Sequence, residues 1–424
     1  MYFELDTMIR ENDELTMLRN EIHKFAKEVI RPASVTLDQM NSKDTHKKDS
    51  PYFEVMKKMK KNGYHRLLVP EEYGGLNAGP EAFCIVVEEL GWGSVGLATA
   101  LGVDWIPTGM MSLIASPEII EEILVPWMED ENDEYRGCWS VMDPDRGSDY
   151  IMTMSHPNPE ILGTKGFCRA ERDGDDWIIH GVKSLWTSSG PCANWALTHP
   201  LIPPYDDASC LGAAIIPLNT PGVSQSFPID KLGTRDDPQG ELVFDKVRIP
   251  DRYMLATAPE LASTLFSSLI SLTSTFIACV SVGLARAAFE EAVKYTKERV
   301  QGGKAVFDHQ LTKYRLYKMF EKIETSRFYT RSVAKHVWEE VFENRTFNQS
   351  TSHALTAQAF CKEKAFEVVH DALQLFGGSG ILKESLIEKL FRDARCLMIE
   401  DGTVEVLGLE AIEHAFKDEI ITTD

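Results

Sequence analysis

Over the first 130 residues the apolar positions recur at helical intervals. Residues 15–29 alternate charged and apolar side chains with that spacing, and residues 52–61 continue in the same style. A turn rich in Pro and Gly, Val69-Pro70-Glu71-Glu72-Tyr73-Gly74-Gly75, interrupts them, after which the spacing predicts a further helix over 83–91. The pattern then changes. Residues 167–172 and 177–180 flank Asp173-Gly174, which predicts a hairpin. Residues 213–217 are a short apolar run of the buried-strand type, and residues 241–249 alternate before stopping at Pro250. Beyond about 255 helical spacing returns. Val282, Ala285, Phe289, Ala292, Val293 and Thr296 share one stripe; Phe366, Val369, Leu373 and Phe376 share another, closed by Gly377-Gly378 as a C-cap. The expected fold class is α+β in three units: helical over 1–130, a compact β unit over 131–252, and helical again over 253–424.

Composition adds little beyond an ordinary globular balance: 424 residues, 43% hydrophobic and 26% charged, enough for several packed units. Charge changes the picture more. Lys and Arg number 44 against 65 Asp and Glu, a net charge of −21, which argues against nucleic acid or an anionic membrane as partner because phosphate binding needs basic patches. The 8 cysteines form no Cys-x-x-Cys pair and no zinc-like cluster with His, so no metal is expected. The start, Met1-Tyr2-Phe3-Glu4-Leu5-Asp6, lacks a basic stretch followed by an apolar run, and the most apolar segment, 265–285, is broken by Ser and Thr. Neither a signal peptide nor a membrane span is expected, and a reducing cytoplasm is the simplest location.

The chemistry lies in six segments. They are Trp139-Ser140-Val141-Met142-Asp143-Pro144-Asp145-Arg146-Gly147-Ser148-Asp149; Lys183-Ser184-Leu185-Trp186-Thr187-Ser188-Ser189-Gly190; residues 241–250; Val282-Gly283-Leu284-Ala285 with Glu298-Arg299 and His309-Gln310 behind it; residues 374–380; and Arg392-Asp393-Ala394 leading to Asp401-Gly402-Thr403. In that order they resemble the motifs of the acyl-CoA dehydrogenases, including "C-x-T-E-P-x-x-G-S-D", "K-x-W-I-T-N-G" (here one residue longer before the Trp) and "Q-x-x-G-G-x-G". One glycine motif alone would be weak; six in order, between about residues 15 and 416, are strong. The resemblance implies the acyl-CoA dehydrogenase fold, with an N-terminal α-helical domain, a middle β-barrel-like domain and a C-terminal four-helix bundle. It implies FAD, an acyl-CoA substrate, an electron-transfer flavoprotein or similar acceptor, and a homotetramer.

These residue types suit a flavin in their own right. An isoalloxazine ring needs an aromatic wall and polar groups at its carbonyl and N5 edges; Trp186 can supply the wall, and Ser188, Val141 and Met142 the edge. The resemblance puts Trp139, Gly147, Ser148, Trp186 and Ser188 at the flavin, with Thr403 near the same FAD. It puts Arg299, Gln310, Gln374 and Gly378 at the FAD of a neighbouring subunit, with His309 beside them. A pyrophosphate needs a cation or backbone amides, which Arg299 and Gly377-Gly378 can offer. Taken singly, the two Trp residues would be core, Arg299 a surface charge and the glycines a helix stop.

Most of the family carries a Glu before the Gly-Thr of the last motif, and it removes the proton alpha to the thioester carbonyl. Here that position is Asp401, with Glu400 one place earlier; Asp is shorter by about 1.5 Å, one carbon–carbon bond. A carboxylate in an apolar pocket gains basicity. The competing expectation is that Asp401 is a helix N-cap. Three departures from the family pattern argue against ordinary straight-chain recognition: Ser274 where the family often has an Arg, Gly302 where a Phe is common and Glu405 where a Gln is usual. An added stretch over 156–163 lengthens the loop after the Gly-Ser-Asp motif, and Asp401, Asp104 and Ser274 together motivate a branched or cyclic acyl group. Asp104 is weighed as a second catalytic acid for 1,4-elimination on a cyclic thioester, against an Asp capping a helix that starts near Pro107.

Two other functions stay open. Nitroalkane oxidases share the fold and use an Asp at the same place, paired with an Arg where this chain has Gly408. A non-catalytic scaffold is the third, opposed by the intact Trp186, Arg299 and Asp401.

Overall fold

The computed structural model describes residues 12–151, 168–203, 211–346 and 350–417. The added stretch over 156–163 lies outside the described residues, as does Phe167 of the expected hairpin. Helix α1 (Asp13–Phe25) opens on Asn12, whose side chain accepts from the Leu15 amide (3.1 Å), and runs through a wide turn into α2 (Arg31–Gln39). Helix α3 (Pro51–Lys61) starts on a proline, where no amide donor is missed. Helices α4 (Gly79–Gly93) and α5 (Val95–Ile114) are buried on almost every side. Ser94 separates them: its backbone is extended, and its hydroxyl accepts from the Leu97 amide (3.1 Å). A short α6 (Val125–Glu129) closes the first helical unit.

The middle unit holds two four-stranded sheets. One has the order β1 (Gly137–Ser140), β4 (Trp195–Thr198), β5 (Ala213–Pro217), β8 (Met254–Ala256). The other has the order β2 (Arg169–Asp173), β3 (Asp176–Lys183), β7 (Leu242–Pro250), β6 (Val223–Gln225). The pair β1 and β4 is parallel; the hairpin expected at Asp173-Gly174 is the antiparallel pair β2 and β3, with Asp173 opposite Asp176.

The last unit is helical: α7 (Pro259–Glu298), a small hairpin of β9 (Val300–Gln301) and β10 (Lys304–Ala305), α8 (Gln310–Trp338), α9 (Thr351–Phe376), α10 (Leu386–Leu397) and α11 (Val404–Lys417). Helix α7 packs along α9, α4 and α8 and is the axis of the molecule. By length and composition α5 and α7 are apolar enough to cross a bilayer, yet the most apolar window of α7 is 100% buried inside the protein and that of α5 83%. The α4–α7 crossing is close because glycine is present on both sides. A Cβ at Gly91 would stand 2.5 Å from the Val280 carbonyl oxygen, and one at Gly283 2.1 Å from that of Glu88.

Candidate active site

The loop between α10 and α11 carries Glu400, Asp401, Gly402 and Thr403. Helix α9 holds it with two residues one turn apart. Gln358 Nε2 donates to the Asp401 carbonyl (3.0 Å) and approaches its Oδ2 (3.4 Å); Lys362 Nζ donates to the carbonyls of Gly402 (2.9 Å) and Glu400. Three successive carbonyls are thereby fixed from one helix face. Gln358 is itself oriented by Ser274 on α7, whose hydroxyl donates to Gln358 Oε1 (2.8 Å), so its amide nitrogen faces Asp401. Asp401 sits at φ +55, a left-handed conformation that a non-glycine residue adopts only when its surroundings impose it. Burial raises its carboxyl pKa, against the pull of Lys362, Thr273 and Gln358. Burial also brings the Lys362 amine down to about 8. Asp401 is not an N-cap: α11 begins at Val404, and the hydroxyl of Thr403 accepts from the Val406 amide (3.5 Å).

Two of the sequence motifs meet here. The Thr403 amide donates to Ser148 Oγ (2.9 Å), joining the Gly147-Ser148-Asp149 segment to the Asp401 loop across 255 positions of chain. Gly147 donates to Asp149 Oδ1 (2.6 Å), which shapes that segment. In the turn after β3, Trp186 is 59% exposed, an uncommon state for an indole and the state a stacking platform requires. Trp139 differs. It is 6% exposed, its Nε1 donates to His199 (3.0 Å), and its ring packs on Phe266, so its indole belongs to the core. The carbonyl of Val141 accepts from Lys183 Nζ (2.9 Å) and that of Met142 from the Ser184 amide (2.8 Å). The Ser184 amide thus ties the Trp186 turn to Met142. Ser188 Oγ donates to Asp237 Oδ2 (2.7 Å) and accepts from Gln239 Nε2 (3.0 Å), and Ser189 beside it is again left-handed, at φ +59.

Between these two sides lies Glu400. Both of its carboxyl oxygens are out of solvent and without a hydrogen-bond partner among the described residues. Burial, with Asp237 adding to it, pushes this carboxyl up to about 7, and Lys231 and Lys362 only partly offset the rise.

A second group of expected residues gathers elsewhere. Arg299, Gln310, Gln374 and Gly378 are all exposed. Tyr295, one turn before Arg299, stacks on Phe376 (ring centroids 4.1 Å apart) and donates to its carbonyl (3.2 Å), which sets the end of α7 beside Gly377-Gly378. The His309 ring is held by the Gln301 carbonyl (2.9 Å). Gln374 lies about 18 Å along α9 from Lys362, at 1.5 Å per residue. This patch and the Asp401 loop therefore stand at different places on one chain.

Asp104 departs from one expectation, that of a helix cap. It lies in the middle of α5, which runs unbroken past Pro107, so it caps no helix. Its Oδ1 accepts from the Gly137 amide (2.6 Å) and from Trp127 Nε1 (2.8 Å), clamping α5 to β1 and α6. Burial raises its pKa, opposed by Lys60 and Arg136. These bonds give Asp104 a structural post.

Sequence reasoning passed over Gln358, Lys362 and Asp237. Gln358 and Lys362 lie one turn apart among many other polar residues of α9, which hides them in the sequence, whereas an Asp-Asp-Pro turn between strands is a signal that marks Asp237.

The FAD expectation can be tested on these side chains. An exposed indole, a hydroxyl-lined turn and an exposed arginine beside two open glycines match the three needs of such a cofactor: a ring platform, edge contacts and a pyrophosphate cation. Comparison with known proteins shows the family and the fold. The family model described as "Acyl-CoA dehydrogenase, N-terminal domain" matches residues 12–131, and "Acyl-CoA dehydrogenase, C-terminal domain" matches residues 266–415. A probable acyl-CoA dehydrogenase of Bacillus subtilis is 29% identical over 412 residues, covering 96% of this chain and 100% of the relative. The mitochondrial 2-methylacyl-CoA dehydrogenase of Solanum tuberosum is 27% identical over 413 residues, 96% of this chain and 93% of the relative. A solved glutaryl-coenzyme A dehydrogenase in complex with glutaryl-CoA, 24% identical, superposes with a TM-score of 0.82 over 99% of this chain and 97% of that one, which shows the fold. With both helical units matched and the motifs in order between them, the chain belongs to the acyl-CoA dehydrogenase family.

Proposed function

We propose that this protein is an FAD-dependent acyl-CoA dehydrogenase in which Asp401 removes the proton alpha to the thioester carbonyl. The observation that carries the reading is Asp401 itself: a desolvated carboxyl with a raised pKa, on a strained loop fixed by Gln358 and Lys362. Desolvation makes the carboxylate a stronger base, and a fixed loop holds it at one place. FAD, when bound, supplies the acceptor for the beta hydride. Trp186 offers the wall for its ring, Ser188 and the Ser148–Thr403 pair offer edge contacts, and Trp139 supports the site from the core. Arg299, Gln310, Gln374 and Gly378, with His309 behind them, suit the FAD of a second copy, since they stand well away from the Asp401 loop, and the homotetramer that the family resemblance implies is the assembly we favour. Electrons leave to an electron-transfer flavoprotein or a similar acceptor, in the cytoplasm.

The shorter Asp requires the substrate to come closer by about 1.5 Å or to present a different carbon. A branched or cyclic acyl group is therefore the substrate class we favour, a choice supported by the likeness to a relative named for 2-methylacyl-CoA. The test is an anaerobic absorbance titration of FAD-loaded protein with straight, branched and cyclic acyl-CoAs. Bleaching of the flavin by a branched or cyclic thioester, abolished in Asp401→Asn, is the expected result. Bleaching by straight-chain thioesters best of all overturns the substrate class, and no bleaching by any thioester overturns the activity.

A further inference from the structure

Ser188 is fixed from both sides. Gln239 donates to its oxygen (3.0 Å), so its own proton is directed at Asp237 Oδ2 (2.7 Å). The supports of this pair are built in. Lys231 Nζ donates to Gln239 Oε1 (2.8 Å) and to the Asp237 carbonyl (3.0 Å), and stands 3.9 Å from Asp237 Oδ2. Asp237 is 1% exposed, and its Oδ1 has no hydrogen-bond partner among the described residues. Several ionisable groups face it: Lys231 and Asp236 from its own loop, Glu400 from the loop before α11, Tyr52 from α3 and Cys192 from the turn after β3. One cation thus stands among four groups that are neutral or negative.

We propose that Asp237 is a positioning residue acting through Ser188: it decides whether the Ser188 hydroxyl proton is held by the protein or offered to the edge of the flavin. The inference rests on the reading of Ser188 as a flavin-edge residue. An ionised Asp237 accepts the Ser188 proton. A protonated Asp237 can donate to the Ser188 oxygen instead, which releases the Ser188 proton toward the cofactor. Burial pushes the Asp237 carboxyl up to about 6, above its ordinary 3.8, so the exchange falls between about pH 5 and 7. Below that range the hydroxyl donates to the flavin and favours its reduced, more negative form; above it the proton is withdrawn.

The experiment measures the reduction potential of the bound flavin from pH 5 to pH 8 in the FAD-loaded protein, Asp237→Asn, Ser188→Ala and the double variant. Asparagine at 237 stands in for the neutral acid. It is expected to match the wild type at pH 5 and, at pH 8, to shift the reduction equilibrium toward reduced flavin by roughly tenfold, the worth of one charge-assisted hydrogen bond. In the Ser188→Ala background the same substitution is expected to change nothing. Equal potentials for wild type and Asp237→Asn at every pH overturn the inference, and so does a difference that survives in Ser188→Ala. Should Asp237→Asn not fold, Ser188→Ala alone decides: the pH-dependent step must vanish from it, and a step that persists overturns the inference. A wild type that takes up no FAD overturns the functional reading and this inference together, which separates that failure from the others.

Discussion

Two groups of carboxylates are buried in this protein, and the chain has treated them in opposite ways. On α4, Glu88 is met by Arg286 Nη1 (2.8 Å) and by Arg327 Nη2 (2.9 Å) and Nε (3.0 Å), while Glu89 is met by Arg286 and by His23 (2.8 Å). Burial alone would raise Glu88; Arg327 and Arg286 outweigh it and bring the carboxyl down to about 2. Around Asp401, burial wins. Glu400 rises to about 7, Asp237 to about 6, and Asp401 also rises, because Lys231 and Lys362 face three acids and Lys362 directs its bonds to backbone carbonyls. A buried acid given enough guanidinium becomes a joint between helices. One left short of cations keeps its appetite for a proton, which is what a base needs.

The largest effects should separate the two groups cleanly. Asp401→Asn is expected to slow flavin reduction by acyl-CoA about 10³-fold, within the range for losing a general base, with no loss of thermal stability. A stopped-flow bleaching trace and a melting curve on the same sample check both halves. Glu88→Gln should do the reverse. It leaves Arg286 and Arg327 buried with a neutral partner, and the expected cost is about 3–5 kcal/mol in denaturant unfolding. The pH dependence carries the same sign. Glu88 has a depressed pKa, so its stabilisation is present above its ordinary 4.5 and is lost as pH falls toward about 2.

Glu400→Gln sharpens the contrast with a gain. An acid whose folded pKa is raised binds its proton more tightly in the native state, so stability falls as pH climbs from 4.5 through about 7. Glutamine mimics the protonated form. The variant is expected to be more stable than wild type at pH 8, by up to about 3 kcal/mol, and no different at pH 4. A Glu400→Gln protein less stable than wild type at pH 8 would show that Glu400 is paired after all.

The two groups were not equally legible in the sequence. Asp401 was, because it sits inside a motif whose order along the chain is preserved. The strands at 213–217 and the hairpin at Asp173-Gly174 were also legible, since their signals are local. The partners of Asp401 were hidden. Gln358 and Lys362 lie about 40 positions away, and Ser274 more than 100, so only the packing of α7 against α9 brings them together. Asp104 misled for a related reason: Pro107 suggested a helix start, but a proline is tolerated inside α5, and the clamp to Trp127 and Gly137 is a tertiary fact. Trp139 and Trp186 show the limit most plainly, two tryptophans in matching motifs of which one is core and the other bare.

The smallest effect we expect tests the outermost link of the base. Ser274 stands where the family often has an arginine, and here its hydroxyl donates to Gln358 and orients it. In Ser274→Ala the Gln358 amide loses the donor that fixes its oxygen, and its nitrogen faces Asp401 for a smaller share of the time. Since the Gln358 hydrogen bond lowers the Asp401 pKa, weakening it should move the acidic limb of the rate profile upward. A shift worth about 0.5 kcal/mol corresponds to a two- to threefold loss of rate on that limb, with little change on the plateau. Ser274→Arg runs the comparison the other way: it places beside Asp401 the guanidinium that Glu88 enjoys. The limb should then move down and the base weaken, making this end of the site resemble the other. A rate profile unmoved by either substitution would mean that Ser274 and Gln358 support the helices alone, and that neither tunes the Asp401 carboxyl.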